Sequence, residues 1–254
     1  MARVALRGTS WSRLVDYASP ALFDVIPARA LLEQSRELFS NRANVARFSD
    51  VREHIGSLLR QRNIDVELTH GPRPESETPL IDLPEHARRE VGQRILEIYF
   101  TQVFWSGEAL LDVRADKFAR RELGSLTWRP GALYLRWQPG FLDGIRGLYL
   151  GFYLDDDALF ARALEQLDMA GSSTALRDLL GREDPRNTVF DIQAFHARFH
   201  ELFLSQRARG VSLHRNFLPL GVCLASLYET LDTLGVPLDV KAAFDRGRAQ
   251  LREA

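Results

Sequence analysis

From Glu85 onward the chain sets Val91, Ile95, Leu96, Ile98, Tyr99, Val103 and Phe104 at helical spacing, and Gly107 closes the run. An apolar face this broad has to be covered on several sides, so the helix belongs in a core and the rest of the chain must supply its neighbours. Most of those neighbours read as helices too. After Pro139 the spacing predicts helices over about 139–153, 155–168, 172–180, 190–208, 212–234 and 237–252, with Asp155, Ser172, Asp191, Ser212 and Pro237 as starts. Before Glu85, Leu31, Leu32, Leu38 and Phe39 following Pro27 suit one shorter amphipathic helix, and Val51, Ile55, Leu58 and Leu59 suit another.

Three stretches depart from that period. "IDVELTH", residues 64–70, alternates as a strand does. "SLTWRPGALYLRW", residues 125–137, reads as a β-hairpin, with β-prone residues on both sides of an Arg-Pro-Gly turn. "HGPRPESETPLIDLP", residues 70–84, contains four prolines and cannot hold one regular element, so it reads as a linker or long exposed loop. The expectation is a mainly α protein with a small β-hairpin: a small amino-terminal helical segment with its linker over 1–84, then a helical domain over 85–254.

Charge and cysteine usage narrow the class. With 33 basic and 34 acidic residues the formal net charge is −1, which gives no global field to recruit nucleic acid or an acidic membrane. Arg88, Arg89, Arg94, Arg114, Arg120, Arg121 and Arg129 make the middle of the chain locally basic, but acids interleave them, as on a solvated face. Cys223 stands alone, which excludes an internal disulfide and a cysteine-based zinc site and makes the cytoplasm the expected compartment. "MARVALRGTSWSRLVDYASP" is interrupted by charge and does not read as a signal peptide. "FLPLGVCLASLY", residues 217–228, falls short of the roughly 20 residues of a bilayer span, so a buried helix and no transmembrane segment are expected.

A long helix, a glycine, an apolar run ending in Asp112, a short polar segment, a hairpin and then helices follow the order of the carboxy-terminal lobe of a protein-kinase-like fold. "TQVFWSGEALLDVRADKF", "GALYLRWQPG" and the tail "FLPLGVCLASLYETLDTLGVPLD" resemble the ABC1/UbiB (AarF) family of atypical kinases over about residues 88–252. The resemblance places Asp112 where that family keeps its catalytic aspartate. It also implies losses: the preceding histidine is Leu110, the metal-binding asparagine is Lys117, and the second metal-binding aspartate falls among Arg136, Trp137 and Gln138. A charged lysine offers no lone pair to magnesium. Lys117 and Lys241 are the only lysines, so none precedes position 117 to meet nucleotide phosphates, and residues 1–84 carry no Gly-rich phosphate loop.

Other constellations are weaker. His196 and His200 in "FHARFHELF" lie one helical turn apart and could ligate zinc with a third ligand, Glu201 or Asp191, although Ala197 stands where a zincin needs glutamate. Asp155, Asp156 and Asp157 suit a helix start better than a cation site. Gly140, Gly144, Gly147 and Gly151 have the spacing of closely packed helices. Cys223 lies in the most apolar helix, a poor place for a thiolate.

The resulting expectation is a catalytically inactive, pseudokinase-like binding or accessory protein with no cofactor, which the resemblance links to isoprenoid lipid or quinone metabolism. Its expected partner is a protein, with a complete kinase homologue as one form, and peripheral lipid contact at a membrane surface as a further possibility. Two rivals stand beside it: a helical-pocket enzyme using Asp112, Asp116 or the His196 and His200 pair, and a plain helical interaction module that docks through its apolar carboxy-terminal helix.

Overall fold

The computed structural model describes residues 25–122, 124–180 and 184–249. It is mainly helical. Helices α1 (Ala28–Ala43) and α2 (Val45–Gln61) lead into strands β1 (Val66–Leu68) and β2 (Thr78–Pro79), followed by α3 (Glu85–Trp105). Strands β3 (Glu108–Leu110), β4 (Phe118–Arg120), β5 (Leu126–Trp128) and β6 (Tyr134–Arg136) come next. The chain then runs through α4 (Pro139–Tyr153), α5 (Asp157–Gln166), α6 (Ser173–Leu179), α7 (Ile192–Ala208), α8 (Phe217–Leu234) and α9 (Val240–Arg248).

Helix α3 is the centre. Pro84 precedes it in an extended conformation and Glu85 puts a carboxylate in its first turn, where the helix dipole favours negative charge. Every residue from Ile95 to Val103 is buried, so the helix is enclosed on all sides. Helix α9 lies across it at short range: the Trp105 indole N–H donates to the Gly247 carbonyl at 2.9 Å, and a Cβ on Gly247 would sit 2.5 Å from that of Phe100. Phe100 in turn meets Tyr149, Tyr153 and Phe244 edge-on, which welds α3 to α4 and α9.

The hairpin expectation is overturned. Strands β5 and β6 do not pair with each other: β5 pairs antiparallel with β4 (Trp128 opposite Phe118), and β6 pairs antiparallel with β3 (Tyr134 opposite Leu110). The first pair is extended by β1, parallel to β5, and by β2, antiparallel to β4, into a sheet of order β1-β5-β4-β2. The turn residues therefore serve as a crossover between two sheets. They are held by bonds to the Asp112 loop, with Leu111 N–H donating to the Leu133 carbonyl and Arg129 N–H to the Lys117 carbonyl.

The proline-rich stretch is exposed and irregular over residues 70–76, as a loop is, but its second half packs onto the fold. It contributes β2 and a short 3-10 turn, and it buries Glu77, Leu80 and Leu83. Val51, Ile55, Leu59 and Val66 join the same core as α3, so the described part of residues 1–84 packs continuously with the helices after Glu85. Asn44 caps α2, and Asn41 ties α1 to the Tyr134 carbonyl. Residues 1–24 of the expected amino-terminal segment lie outside the described residues.

Helix starts sit close to the expected places, with informative shifts. Asp156 rather than Asp155 caps α5, accepting from Leu159 N–H, while Asp155 takes a left-handed conformation at φ 56°. Asp191 caps α7 through Gln193 and Ala194 N–H, and Asp239, two residues after Pro237, caps α9. Helix α8 begins at Phe217 rather than near Ser212, because the His214 ring accepts from Asn216 N–H and holds a turn there.

Helices α4 and α5 meet through the glycine stripe. A Cβ on Gly151 would lie 2.4 Å from the Phe160 backbone nitrogen, which cannot yield without moving α5, whereas one on Gly140 meets nothing within 4 Å. Gly151→Ala should therefore lower stability by about 1 to 3 kcal/mol in urea denaturation. Gly140→Ala, which only gains helix propensity, should be neutral or slightly stabilising.

Candidate functional site

Asp112 follows β3 and enters the loop that leads to β4, and its side chain is fully buried. Both carboxylate oxygens are occupied. Oδ1 accepts from Arg114 Nε at 2.7 Å; Oδ2 accepts from Arg114 Nη2 at 3.0 Å and from Gly131 N–H at 2.8 Å. Its carbonyl accepts the Trp128 indole N–H at 2.9 Å, and Val113 C=O accepts from Thr230 Oγ1 at 2.7 Å, fastening the loop to α8. The fork geometry of guanidinium on carboxylate is among the strongest pairings available to two buried charges. Burial acts to lower the Arg114 pKa, and the bonds and charge of Asp112 overcome it, so the pKa ends raised and the charge is secure.

Gly131 is required where it stands, since a Cβ there would fall 2.6 Å from Asp112 Oδ2. The segment that reaches Asp112 from across the fold is thus residues 129–131. This segment supplies a guanidinium, a proline and a glycine, and no acid. Arg136, Trp137 and Gln138, the triplet expected to hold the place of the second metal-binding acid, lie farther on, at the end of β6 and the start of α4. Lys117 turns to Asp116, Nζ to Oδ2 at 2.9 Å.

Arg129 has its own buried partner. Glu77, from the proline-rich stretch, accepts from Arg129 Nη2 at 2.8 Å and from Thr127 Oγ1 at 3.0 Å, with Arg121 Nε at 3.5 Å. Burial pushes the Glu77 carboxyl up, but bonds from Arg129, Thr127 and Arg121 with the charge of Arg129 outweigh it, leaving the pKa below the usual glutamate value. The loop region is therefore built on two sealed acid and arginine pairs. Sequence reasoning missed Glu77, because nothing local marks one acid in a polar stretch as the partner of an arginine 52 residues away.

The remaining candidates do not converge. Among the described residues, no group of three or more His, Cys, Asp or Glu could hold a metal ion; His196 and His200 stack on one face of α7, and Asp191 is engaged as a cap. None of Asp112, Asp116, His196 or His200 lines the cavity of about 300 Å³ between α3, α4, α7 and α8. A general base must reach the proton it takes, and this cavity is not where these four residues could do so. Arg89, Arg94, Arg114, Arg120, Arg121 and Arg129 each pair with a carboxylate, and Arg88 donates to the Leu234 carbonyl.

Helix α8 is the surface on which the third reading relies. It alone among the described helices is long and apolar enough to cross a membrane by length and composition, yet 61% of it is buried within the fold. Phe217, Leu218, Leu220, Cys223 and Leu227 all face the core, so the helix is no exposed docking face. Burial also pushes the Cys223 thiol up to about 12, far from a reactive thiolate.

Two measurements test the pairs. Asp112→Asn keeps the shape but removes the nearest anion from the buried Arg114 charge, leaving Asp116 at 3.9 Å, and it should cost about 3 kcal/mol in urea denaturation. Glu77 has a folded pKa below its unfolded value of about 4.3, so its contribution is complete above that pH and is lost as pH falls through the folded pKa. Urea midpoints followed from pH 7 to acid should thus fall less steeply for Glu77→Gln than for the parent below about pH 4.3, from a lower plateau.

No known protein family matches this chain, and no curated protein matches it either.

Proposed function

We propose that this chain is a kinase-like lobe without phosphotransfer, which acts by binding as an accessory protein. The observation that carries the reading is the state of Asp112: zero exposure, both oxygens occupied, and an arginine where a metal would have to sit. Phosphoryl transfer is largely positioning and charge neutralisation by metal, so a loop that neutralises its own carboxylate has nothing left for a nucleotide.

The order of elements supports the kinase-like part. A buried helix leads into β3, the Asp112 loop and β4, and two antiparallel pairs, β3 with β6 and β4 with β5, bracket that loop before the chain turns helical. In this reading Lys117 and Arg129 stand where the lost metal chemistry would have been. The accompanying link to isoprenoid lipid or quinone metabolism rests on the family resemblance alone, as does the implied partner, a complete kinase homologue with peripheral membrane contact. A cytoplasmic site of action rests on the single, buried cysteine.

Nucleotide is the discriminating ligand, because anything that binds only the folded state raises the melting temperature. Millimolar magnesium-ATP should leave the melting temperature of the full chain unchanged. A rise of several degrees, abolished by Asp112→Asn in a protein still folded by circular dichroism, would overturn the proposal.

A further inference from the structure

The cavity between α3, α4, α7 and α8 has a volume of about 300 Å³, at the lower end of the roughly 300 to 1,000 Å³ of small-molecule sites. Leu96 and Phe195 give it an apolar wall, and Tyr99, Tyr149, Tyr153 and Tyr228 bring four phenols to the same space. Three of these phenols have a hydrogen-bond partner within the protein. The Tyr99 and Tyr149 hydroxyls bond each other at 2.5 Å, and the Tyr228 hydroxyl donates to the Leu179 carbonyl at 3.1 Å.

Tyr153 differs. It is only 6% exposed, and its hydroxyl makes no hydrogen bond among the described residues. The ring is buried but the hydroxyl keeps access to the cavity, so it is a donor that an occupant of that space can reach. The ring is not free to seek a partner, because it packs against Phe100, Tyr149 and Phe244 with centroids 6.0, 6.3 and 4.7 Å away. The donor is therefore held in place and presented to an apolar space.

The rest of the lining defines the occupant. Its two charged groups are already engaged: Asp191 caps α7, and Arg198 donates to the Asp178 carbonyl. Burial raises the Tyr149 and Tyr153 phenols well above the ordinary range, so they remain neutral donors and offer no charge to a ligand ion. An ion entering the cavity would lose its hydration without an opposite charge to replace it.

We propose that this cavity binds a small, uncharged, mostly apolar carbonyl compound whose oxygen accepts the Tyr153 O–H. The site is separate from the Asp112 loop, none of whose residues lines it, so it stands whether or not the kinase-like reading holds.

Isothermal titration of the full chain with three probes of one shape tests it: 2-acetylnaphthalene, 2-ethylnaphthalene and 2-naphthoate. The ketone should bind about tenfold tighter than the hydrocarbon, the value of one hydrogen bond, and the carboxylate should bind weakest. Tyr153→Phe should erase the advantage of the ketone while its melting temperature, read by circular dichroism, stays level or rises, since the lost hydroxyl has no protein partner. Ala194→Trp, which fills the lining from α7, should abolish binding of both neutral probes. The proposal is overturned by no binding of the ketone at millimolar concentration, by equal affinity of ketone and hydrocarbon, by an unchanged preference in Tyr153→Phe, or by the carboxylate binding best.

Discussion

One carboxylate organises the sheet region, and the reason is its burial. A charge withdrawn from water must be neutralised and hydrogen-bonded where it sits, and Asp112 meets that demand by gathering Arg114 from its own loop and the Gly131 amide from the crossover after β5. Its backbone carbonyl adds the Trp128 indole, and Phe118 stacks on Trp128 beneath. The two small sheets, each too short to stand alone, are thereby joined through one side chain. Each of its two carboxylate oxygens is thereby engaged within the protein.

Environment rather than residue type decides what each acid does. Glu77 and Glu97 are both buried, and their carboxyls shift in opposite directions. Around Glu77, Arg129 and Arg121 overcome desolvation. Around Glu97 on α3, desolvation prevails over the more distant charges of Arg246 and Arg94, with Arg246 at 3.6 Å and largely in solvent. The first acid is a fixed anion that locks the proline-rich stretch onto the sheet, and the second is a poorly matched group at the α3 and α9 contact. Apart from both lies the tyrosine-lined cavity, where the charged groups are engaged elsewhere and the Tyr153 hydroxyl has no partner among the described residues. The loop and the cavity thus divide the molecule into a sealed ionic region and an open aromatic one.

Helices were the most legible part of the chain. The broad apolar spacing from Val91 to Phe104 belongs to a helix that is enclosed on all sides, and the acids at 156, 191 and 239 cap helices because a carboxylate near exposed amides is favoured by local geometry alone. The glycines of α4 likewise announced a close helix contact, which α5 provides. The strands were legible one at a time. Their partners were not: Leu126 to Trp128 and Tyr134 to Arg136 are β-prone on either side of a turn, but the turn is recruited by Asp112 and the strands go to different sheets. The proline-rich stretch is the loop expected over residues 70–76, but prolines do not forbid burial, and in its second half Glu77 is drawn inside by an arginine far along the chain.

What the sequence determined by itself was therefore local: helical periods, caps and the single cysteine. What only the tertiary structure decided was which groups meet. It paired Asp112 with Arg114 and Gly131, Glu77 with Arg129, and set four tyrosines from three helices around one cavity while leaving Tyr153 without an acceptor. The physical reason is that periodicity and capping act over a few residues along the chain, whereas ion pairs and cavities depend on distances through space, which exist only once the core has closed.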